Sequence, residues 1–169
     1  MSNGRGYLLT AVLCLVFLLS GCTVWKSDKN ANRAADQPST VKMTLFAEPD
    51  INPNEKGEPS PTAITVVYLS EDSKLLAADY DQLSNETLEK TLGKNYIDHQ
   101  EYTLLPNQYK PLPQIKLEEN NNYLGVIAYY SDANRTEWKK IIKLNGTGHH
   151  YNVLVHLRSG EIELRREEE

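Results

Sequence analysis

Cysteine is scarce in this sequence, and its positions restrict the chemistry that the chain can perform. Only Cys14 and Cys22 occur among 169 residues, so the part that follows residue 22 contains no thiol. A disulfide, a thiolate metal site and a cysteine nucleophile are therefore excluded from that part. Its stability must come from ordinary packing of a hydrophobic core.

Basic residues are too few for a protein that binds nucleic acid. The chain has 18 Lys and Arg residues against 23 Asp and Glu residues, which gives a formal net charge of −5. Nucleic-acid phosphates require a basic face on the protein. The composition therefore argues against DNA or RNA as a partner.

Familiar catalytic motifs are also missing. There is no Gly-x-Ser-x-Gly, no His-Glu-x-x-His, no glycine-rich phosphate loop and no pair of Cys-x-x-Cys elements. His150 and His156 share one face of a predicted strand, but six residues of strand separate their rings by about 20 Å. We predict no catalytic residue, no metal site, no cofactor and no small-molecule substrate. A hydrolase whose nucleophile and base meet only on folding stays open.

The N-terminus has the three parts of a bacterial lipoprotein signal. Arg5 supplies a positive charge, residues 8–19 supply an apolar run, and Leu19-Ser20-Gly21-Cys22 places small residues before a cysteine. The run has about 12 residues, whereas a membrane-spanning helix needs about 20. The pattern predicts a signal peptide at 1–21 and a covalent lipid on Cys22. Several acyl chains on one residue would give stable membrane attachment, since each buried methylene contributes about 0.8 kcal/mol.

The remainder divides into a tether and one domain. Residues 22–40 are polar and have no apolar periodicity, which predicts a flexible tether after the lipidated cysteine. Residues 41–169 are long enough for one domain with a hydrophobic core.

The domain is predicted to be mainly β-structure. Helical spacing of Leu75, Leu76, Tyr80 and Leu83 predicts one or two short helices at about 72–93. Alternating or β-branched segments, separated by turn residues, predict a two-sheet antiparallel β-sandwich with this short helical insertion after the second strand. The predicted strands are 41–46, 64–69, 102–105, 115–117, 123–130, 138–144, 150–157 and 161–164.

The connection between the first two predicted strands is the candidate functional segment. Residues 48–61 contain four prolines and form a loop much longer than the other connections. Long loops in compact domains often bind a partner, and prolines lower the entropy lost on docking. Ile51 is the one apolar side chain in a polar stretch and could anchor a partner. From these residues alone, an interaction site and a simple spacer stay equally open.

The sequence resembles the outer-membrane lipoprotein family of the type VI secretion system, known as TssJ or SciN. The order and spacing of several segments carry this resemblance across nearly the whole predicted domain. These segments are the lipobox at 19–22, Pro49-Asp-Ile-Asn-Pro53 with Gly57 and 59–61, Val67-Tyr-Leu69, Asp79-Tyr-Asp-Gln-Leu83, Leu104-Leu-Pro106, residues 123–132 and Trp138.

The resemblance implies a transthyretin-like sandwich and a structural, non-enzymatic role. It implies a protein anchored in the outer membrane by lipid, facing the periplasm, in a membrane complex of TssJ, TssL and TssM. The implied partner is the periplasmic C-terminal region of TssM, bound by the loop between the first two strands. The implied binding residues are Asp50, Ile51, Asn52, Pro53, Asn54, Glu55, Lys56 and Gly57. The alternative is a periplasmic transthyretin-like module that binds a ligand.

Overall fold

The computed structural model describes residues 33–169. The predicted signal peptide at 1–21, Cys22 and the tether up to residue 32 lie outside the described residues. Within residues 33–169 no helix is both long enough and apolar enough to cross a membrane.

From Thr40 onward, the described part contains nine strands and three short α-helices. The strands are β1 Thr40–Ala47, β2 Thr62–Leu69, β3 Tyr96–Leu104, β4 Tyr109–Pro111, β5 Ile115–Lys116, β6 Tyr123–Tyr129, β7 Lys139–Lys143, β8 His150–Leu157 and β9 Ile162–Glu168. The helices are α1 Ser73–Ala77, α2 Tyr80–Asn85 and α3 Leu88–Leu92, and 3₁₀ turns lie at Gly93–Asn95 and Ala133–Arg135.

The strands form two sheets. In the sheet that we call the outer sheet, the order is β4-β1-β8-β9, and β5 also pairs with β1. In the middle sheet, the order is β3-β2-β6-β7. The facing sides of the two sheets bury one hydrophobic core, to which alternate residues of each strand contribute. The central side chains of this core are Val41, Met43, Leu45, Ile64, Val66, Tyr68, Leu124, Val126, Tyr151, Val153 and Val155.

The helices cover the other face of the middle sheet. A second cluster of buried side chains lies there, so β2 and β6 are buried on both faces. Its members are Val67, Leu69 and Ile127 on the sheet with Leu75, Leu83, Leu88 and Leu92 on the helices. α2 begins with a capping box in which Asp79 accepts from the Gln82 backbone and Gln82 accepts from the Asp79 backbone.

Gly125 in β6 allows α1 to approach the sheet closely. A Cβ atom at this position would lie 2.4 Å from Cδ2 of Leu75, whose side chain is fully buried. The space that a side chain at position 125 would occupy is therefore filled by Leu75 of α1.

The predicted β-sandwich with a helical insertion is confirmed, and two details differ. First, β1 and β8 pair in parallel, whereas an antiparallel sandwich was predicted. Alternation identifies which side chains face the core, but it does not determine which strand lies alongside. Second, β3 begins at Tyr96, and β4 was not predicted at all. β3 and β4 are edge strands, and their partly exposed residues show a weaker alternation of apolar and polar side chains.

The chain is already hydrogen-bonded to the domain at Gln37, a few residues before residue 41, where the domain was predicted to begin. Gly148 donates its backbone N–H to the carbonyl of Gln37, and Ser39 donates to Gly146 at 2.7 Å. Ser39 is buried, and its hydroxyl accepts from the backbone of His149. The chain is therefore attached to the β7–β8 turn from Gln37 onward.

We expect Gly125→Ala to destabilise the protein, because the added methyl group overlaps Leu75. Overpacking of this kind lowers the free energy of unfolding by about 1–3 kcal/mol, measured by denaturant titration. Leu75→Ala alone should cost about 2–5 kcal/mol through the cavity that it leaves. The double variant should be less destabilised than the sum of the two single variants. Strictly additive effects would show that the two positions do not compete for the same space.

Candidate functional site: the loop end of the sandwich

Four connections meet at one end of the sandwich, which we call the loop end. They are the β1–β2 loop at 48–61, the β3–β4 turn at 105–108, the β6–β7 connection at 130–138 and the β8–β9 turn at 158–161. Backbone hydrogen bonds join them, since Asn107 donates to the carbonyl of Glu48 and Asn52 donates to that of Ser159. The four segments therefore form one continuous surface.

The base of the β1–β2 loop is fixed by two buried residues. Ile51 is fully buried and belongs to the core between the sheets. Asn52 is also buried and has a positive φ of 46°, a conformation that asparagine tolerates better than most residues. Its side-chain amide donates to the carbonyl of Pro61 at 3.1 Å, and its Oδ1 accepts from the backbone of Ser131 at 2.8 Å. Asn52 therefore closes the loop and connects it to the β6–β7 connection.

The tip of the loop is a compact turn organised by Asn54. Its Oδ1 accepts from the backbone N–H groups of Lys56 and Glu58, at 2.9 and 3.0 Å. The Asn54 backbone donates to the carbonyl of Glu58, and Gly57 takes a φ of 77° that favours glycine. The tip therefore has a defined shape although its side chains are exposed.

A groove of about 820 Å³ runs beside the loop. One wall is the loop, and the facing wall comes from the β6–β7 and β8–β9 connections. The lining residues are Asn52, Pro53, Asn54, Glu55, Gly57, Ser131, Asp132, Arg135, Thr136, Ser159 and Gly160. Arg135 and Asp132 form an ion pair at 3.5 Å. The groove presents carboxylates, a guanidinium and backbone groups, which suit recognition of a polar protein surface.

A buried tyrosine attaches the β8–β9 turn to this site. The hydroxyl of Tyr130 shares its single proton between the carbonyls of Arg158 and Glu161, which lie 3.1 and 2.9 Å from its oxygen. Burial raises the pKa of Tyr130, so the hydroxyl stays protonated and remains a donor.

Charged residues on the exposed face of the outer sheet fix the start of the loop. The ring of His156 lies between two carboxylates, with Nε2 2.9 Å from Glu48 and Nδ1 3.3 Å from Glu163. Arg158 reaches Glu163 at 2.9 Å. A hydrogen bond from Arg165, with the charges of Arg165 and Arg158, lowers the pKa of Glu163. Glu48, the first residue of the loop, is thus held against β8.

Two large apolar side chains are exposed at the same end. Leu105 and Tyr109 are 54% and 67% exposed, and the described residues contain one further such side chain, Leu76. The turn between Leu105 and Tyr109 is hydrogen-bonded to the end of β1 and to the start of the loop, because Ala47 donates to the carbonyl of Gln108 and Asn107 donates to that of Glu48. The loop end therefore combines exposed apolar and charged groups.

The predicted binding residues fall into two groups. Asp50, Pro53, Asn54, Glu55, Lys56 and Gly57 are exposed, and their role in binding stays a prediction. Ile51 and Asn52 are buried, which corrects their assignment as residues that contact a partner. In particular, Ile51 anchors the loop in the protein's own core instead of anchoring a partner.

The facing wall of the groove was not predicted. The six residues of this wall lie between predicted strands, and nothing in the sequence marks them as binding residues; they are Ser131, Asp132, Arg135, Thr136, Ser159 and Gly160. Asn52 connects this wall to the loop, because its side chain accepts from Ser131, 79 positions away, and its backbone N–H donates to the carbonyl of Ser159. No local pattern contains that contact.

A family model described as "Type VI secretion lipoprotein, VasD, EvfM, TssJ" matches residues 39–160. The matched range includes the loop and every residue that lines the groove. Among curated proteins, no significant sequence match was found.

Solved structures share the fold. The crystal structure of the T6SS lipoprotein TssJ1 from Pseudomonas aeruginosa is 25% identical, with a TM-score of 0.72 over 78% of this chain and 98% of that one. A chain described as a type VI membrane complex is 18% identical, with a TM-score of 0.66 over 76% and 99% of the two chains. A chain described as T6SS protein TssM C-terminal domain from EAEC is 18% identical, with a TM-score of 0.60 over 74% and 99%.

We expect Asn52→Ala to release the base of the loop. The substitution removes both side-chain hydrogen bonds, leaves the Ser131 N–H and the Pro61 carbonyl without their partner, and places alanine at a positive φ. The free energy of unfolding should fall by about 1–3 kcal/mol, and amide exchange in residues 52–60 should accelerate. Asn54→Ala, in the exposed tip, is the control and should change global stability by less. Equal stability losses for the two variants would contradict the role assigned to Asn52.

Proposed function

Because this chain belongs to the type VI secretion lipoprotein family, we propose that it is a structural subunit of the membrane complex of that secretion system. In this proposal the lipid on Cys22 holds the protein at the outer membrane, and the domain faces the periplasm. Its loop end binds the periplasmic C-terminal region of TssM, in a complex that also contains TssL. The protein performs no catalytic step.

The pre-formed shape of the loop end is the observation that supports partner binding best. Asn52 and Ile51 hold the base of the loop, and Asn54 holds its tip, before any partner is present. A binding segment that is already ordered loses less conformational entropy on association. A simple spacer would not require Asn52 to close the base of the loop and Asn54 to organise its tip.

The chemistry of the exposed surface also supports a protein partner. Leu105 and Tyr109 supply apolar area on one side of the loop, and Asp132 and Arg135 supply charges on the other. Protein interfaces combine apolar contacts with a polar rim in this way. A small-molecule site is less well supported, because such pockets are mainly apolar and enclosed, whereas this groove is open and lined largely by polar residues.

The direction of β1 places the loop away from the point where the tether joins the domain. The tether reaches the domain at Gln37 to Thr40, and the loop begins after Ala47. At about 3.3 Å per residue, the strand separates the two by roughly 23 Å. The loop end therefore lies at the opposite end of the domain from the point where the predicted tether joins it, which leaves it accessible to a periplasmic partner.

Removing the exposed side chains of the loop tip should weaken binding to TssM. Pro53→Ser, Glu55→Ser and Lys56→Ser together remove these contacts, while Asn54 and Gly57 preserve the turn. We expect the affinity for the purified TssM periplasmic C-terminal region to fall at least about tenfold, or about 1.4 kcal/mol, in a calorimetric or surface-binding titration.

The matched control is a triple serine variant at the opposite end of the domain, Lys116→Ser, Glu119→Ser and Asn120→Ser. These side chains are also exposed and include one cation and one carboxylate. The control should bind TssM as the native protein does. An unchanged affinity in the loop variant would refute the assignment of the loop as the binding site.

Lipid attachment at Cys22 predicts the behaviour of Cys22→Ser on fractionation. The variant should fold, because Cys22 precedes the domain, and should leave the outer-membrane fraction for the soluble periplasmic fraction. Secretion should be lost, while binding of the purified variant to TssM should be retained. Continued sedimentation with outer membranes would show that the lipid is not the main anchor.

A further inference from the structure

Lys139, the first residue of β7, makes an unusual set of contacts with the helical layer. Its Nζ donates to three backbone carbonyls, those of Leu75 at 2.9 Å, Leu76 at 2.8 Å and Ala78 at 2.6 Å. Two of these carbonyls belong to the last turn of α1, where helix carbonyls lack partners within the helix, and the third belongs to Ala78, the residue that follows the helix. All three donors of one ammonium group are thus used to connect a strand to a helix.

Aromatic side chains surround this contact. The Nζ of Lys139 lies 4.9 Å from the ring centre of Trp138, within the range of a cation–π interaction. The Trp138 ring packs edge-on against Tyr80 of α2, with ring centres 5.1 Å apart. Residues 138 and 139 therefore contact two different helices of the insertion.

The other end of the β6–β7 connection is attached to the same helical layer. The hydroxyl of Tyr80 donates to the carbonyl of Tyr130 at 3.0 Å, and the hydroxyl of Tyr129 donates to Leu83 in α2 at 3.4 Å. Residues 131–136, which form the facing wall of the groove, lie between these two attachments. The position of the groove wall thus depends on the helices at both of its ends.

We propose that Lys139 is a positioning residue for the partner-binding groove, acting by fixing the helical insertion to the β6–β7 connection. The helical layer then has a role in recognition although none of its α-helical residues lines the groove described above. This inference rests on the proposed function, because it takes the groove as part of the surface that binds TssM.

Lys139 stabilises the helical layer through the hydrogen bonds of its ammonium group, and these can be removed without changing the packing of its side-chain stem. Partial burial lowers the pKa of Lys139, while the nearby Asp79 opposes that shift. A partly desolvated ammonium needs full hydrogen bonding, and the three carbonyls provide it. Methionine at this position keeps most of the apolar stem and removes all three donors, so α1 loses its connection while the packing of the stem is retained.

The first measurement is amide hydrogen exchange in the free mature protein. Lys139→Met should accelerate exchange at least tenfold in residues 75–79 and in residues 131–137, and should leave residues 54–58 unchanged. Lys143→Met is the matched control, since Lys143 lies on the same face of the same strand and is exposed. Lys139→Arg, which keeps the charge and the donors, should restore part of the protection. Unchanged exchange in residues 131–137 would overturn the proposal.

The second measurement is affinity for the purified TssM periplasmic C-terminal region. Lys139→Met should lower the affinity about tenfold, Lys139→Arg should recover part of it, and Lys143→Met should stay within twofold of the native protein. Met43→Ala, a core variant of the sandwich, controls for general loss of stability and should not weaken binding at a temperature where it is folded. If Lys139→Met alters exchange but binds normally, the positioning role is wrong, while a loop-tip variant that loses affinity would leave the proposed function intact.

Discussion

Burial of both faces of the middle sheet is the constraint on which the rest of this structure depends. One face packs on the outer sheet. The other carries the apolar side chains of Val67, Leu69 and Ile127, which need a covering layer to be shielded from water. A sandwich of two sheets has no element left to cover them, so the helical insertion supplies the third layer. Gly125 is the local consequence, because only a strand without a side chain there lets Leu75 reach the sheet.

This third layer also explains the form of the loop end. The helices lie between β2 and β3 in sequence, yet they contact both ends of the β6–β7 connection through Tyr80 and Lys139. That connection in turn receives Asn52 from the β1–β2 loop. The groove is thus positioned by a chain of contacts that begins in the hydrophobic packing of the middle sheet, so its shape is a property of the whole domain.

The sequence predicted the elements better than it predicted their neighbours. Alternation in β8 and the apolar runs of β2 and β6 identify strands because their side chains face a core. β4 was not predicted because it is only three residues long, is exposed at both of its ends and includes Pro111, and the parallel pairing of β1 with β8 has no local signature. Local patterns report burial, whereas pairing and packing are set by contacts between residues distant in the chain.

Ile51 shows the same limit within the candidate site. An isolated apolar residue in a polar, proline-rich loop can pack against a partner or in the protein's own core. The same sequence is compatible with both, so it does not distinguish them. Here it enters the core, because Asn52 adopts a positive φ and returns the chain toward Pro61, so that the loop closes on itself. The residues available to a partner are consequently those of the tip and of the groove wall. Recognition by this end of the domain therefore depends on a fixed shape, in which the buried residues determine the geometry and the exposed ones make the contacts.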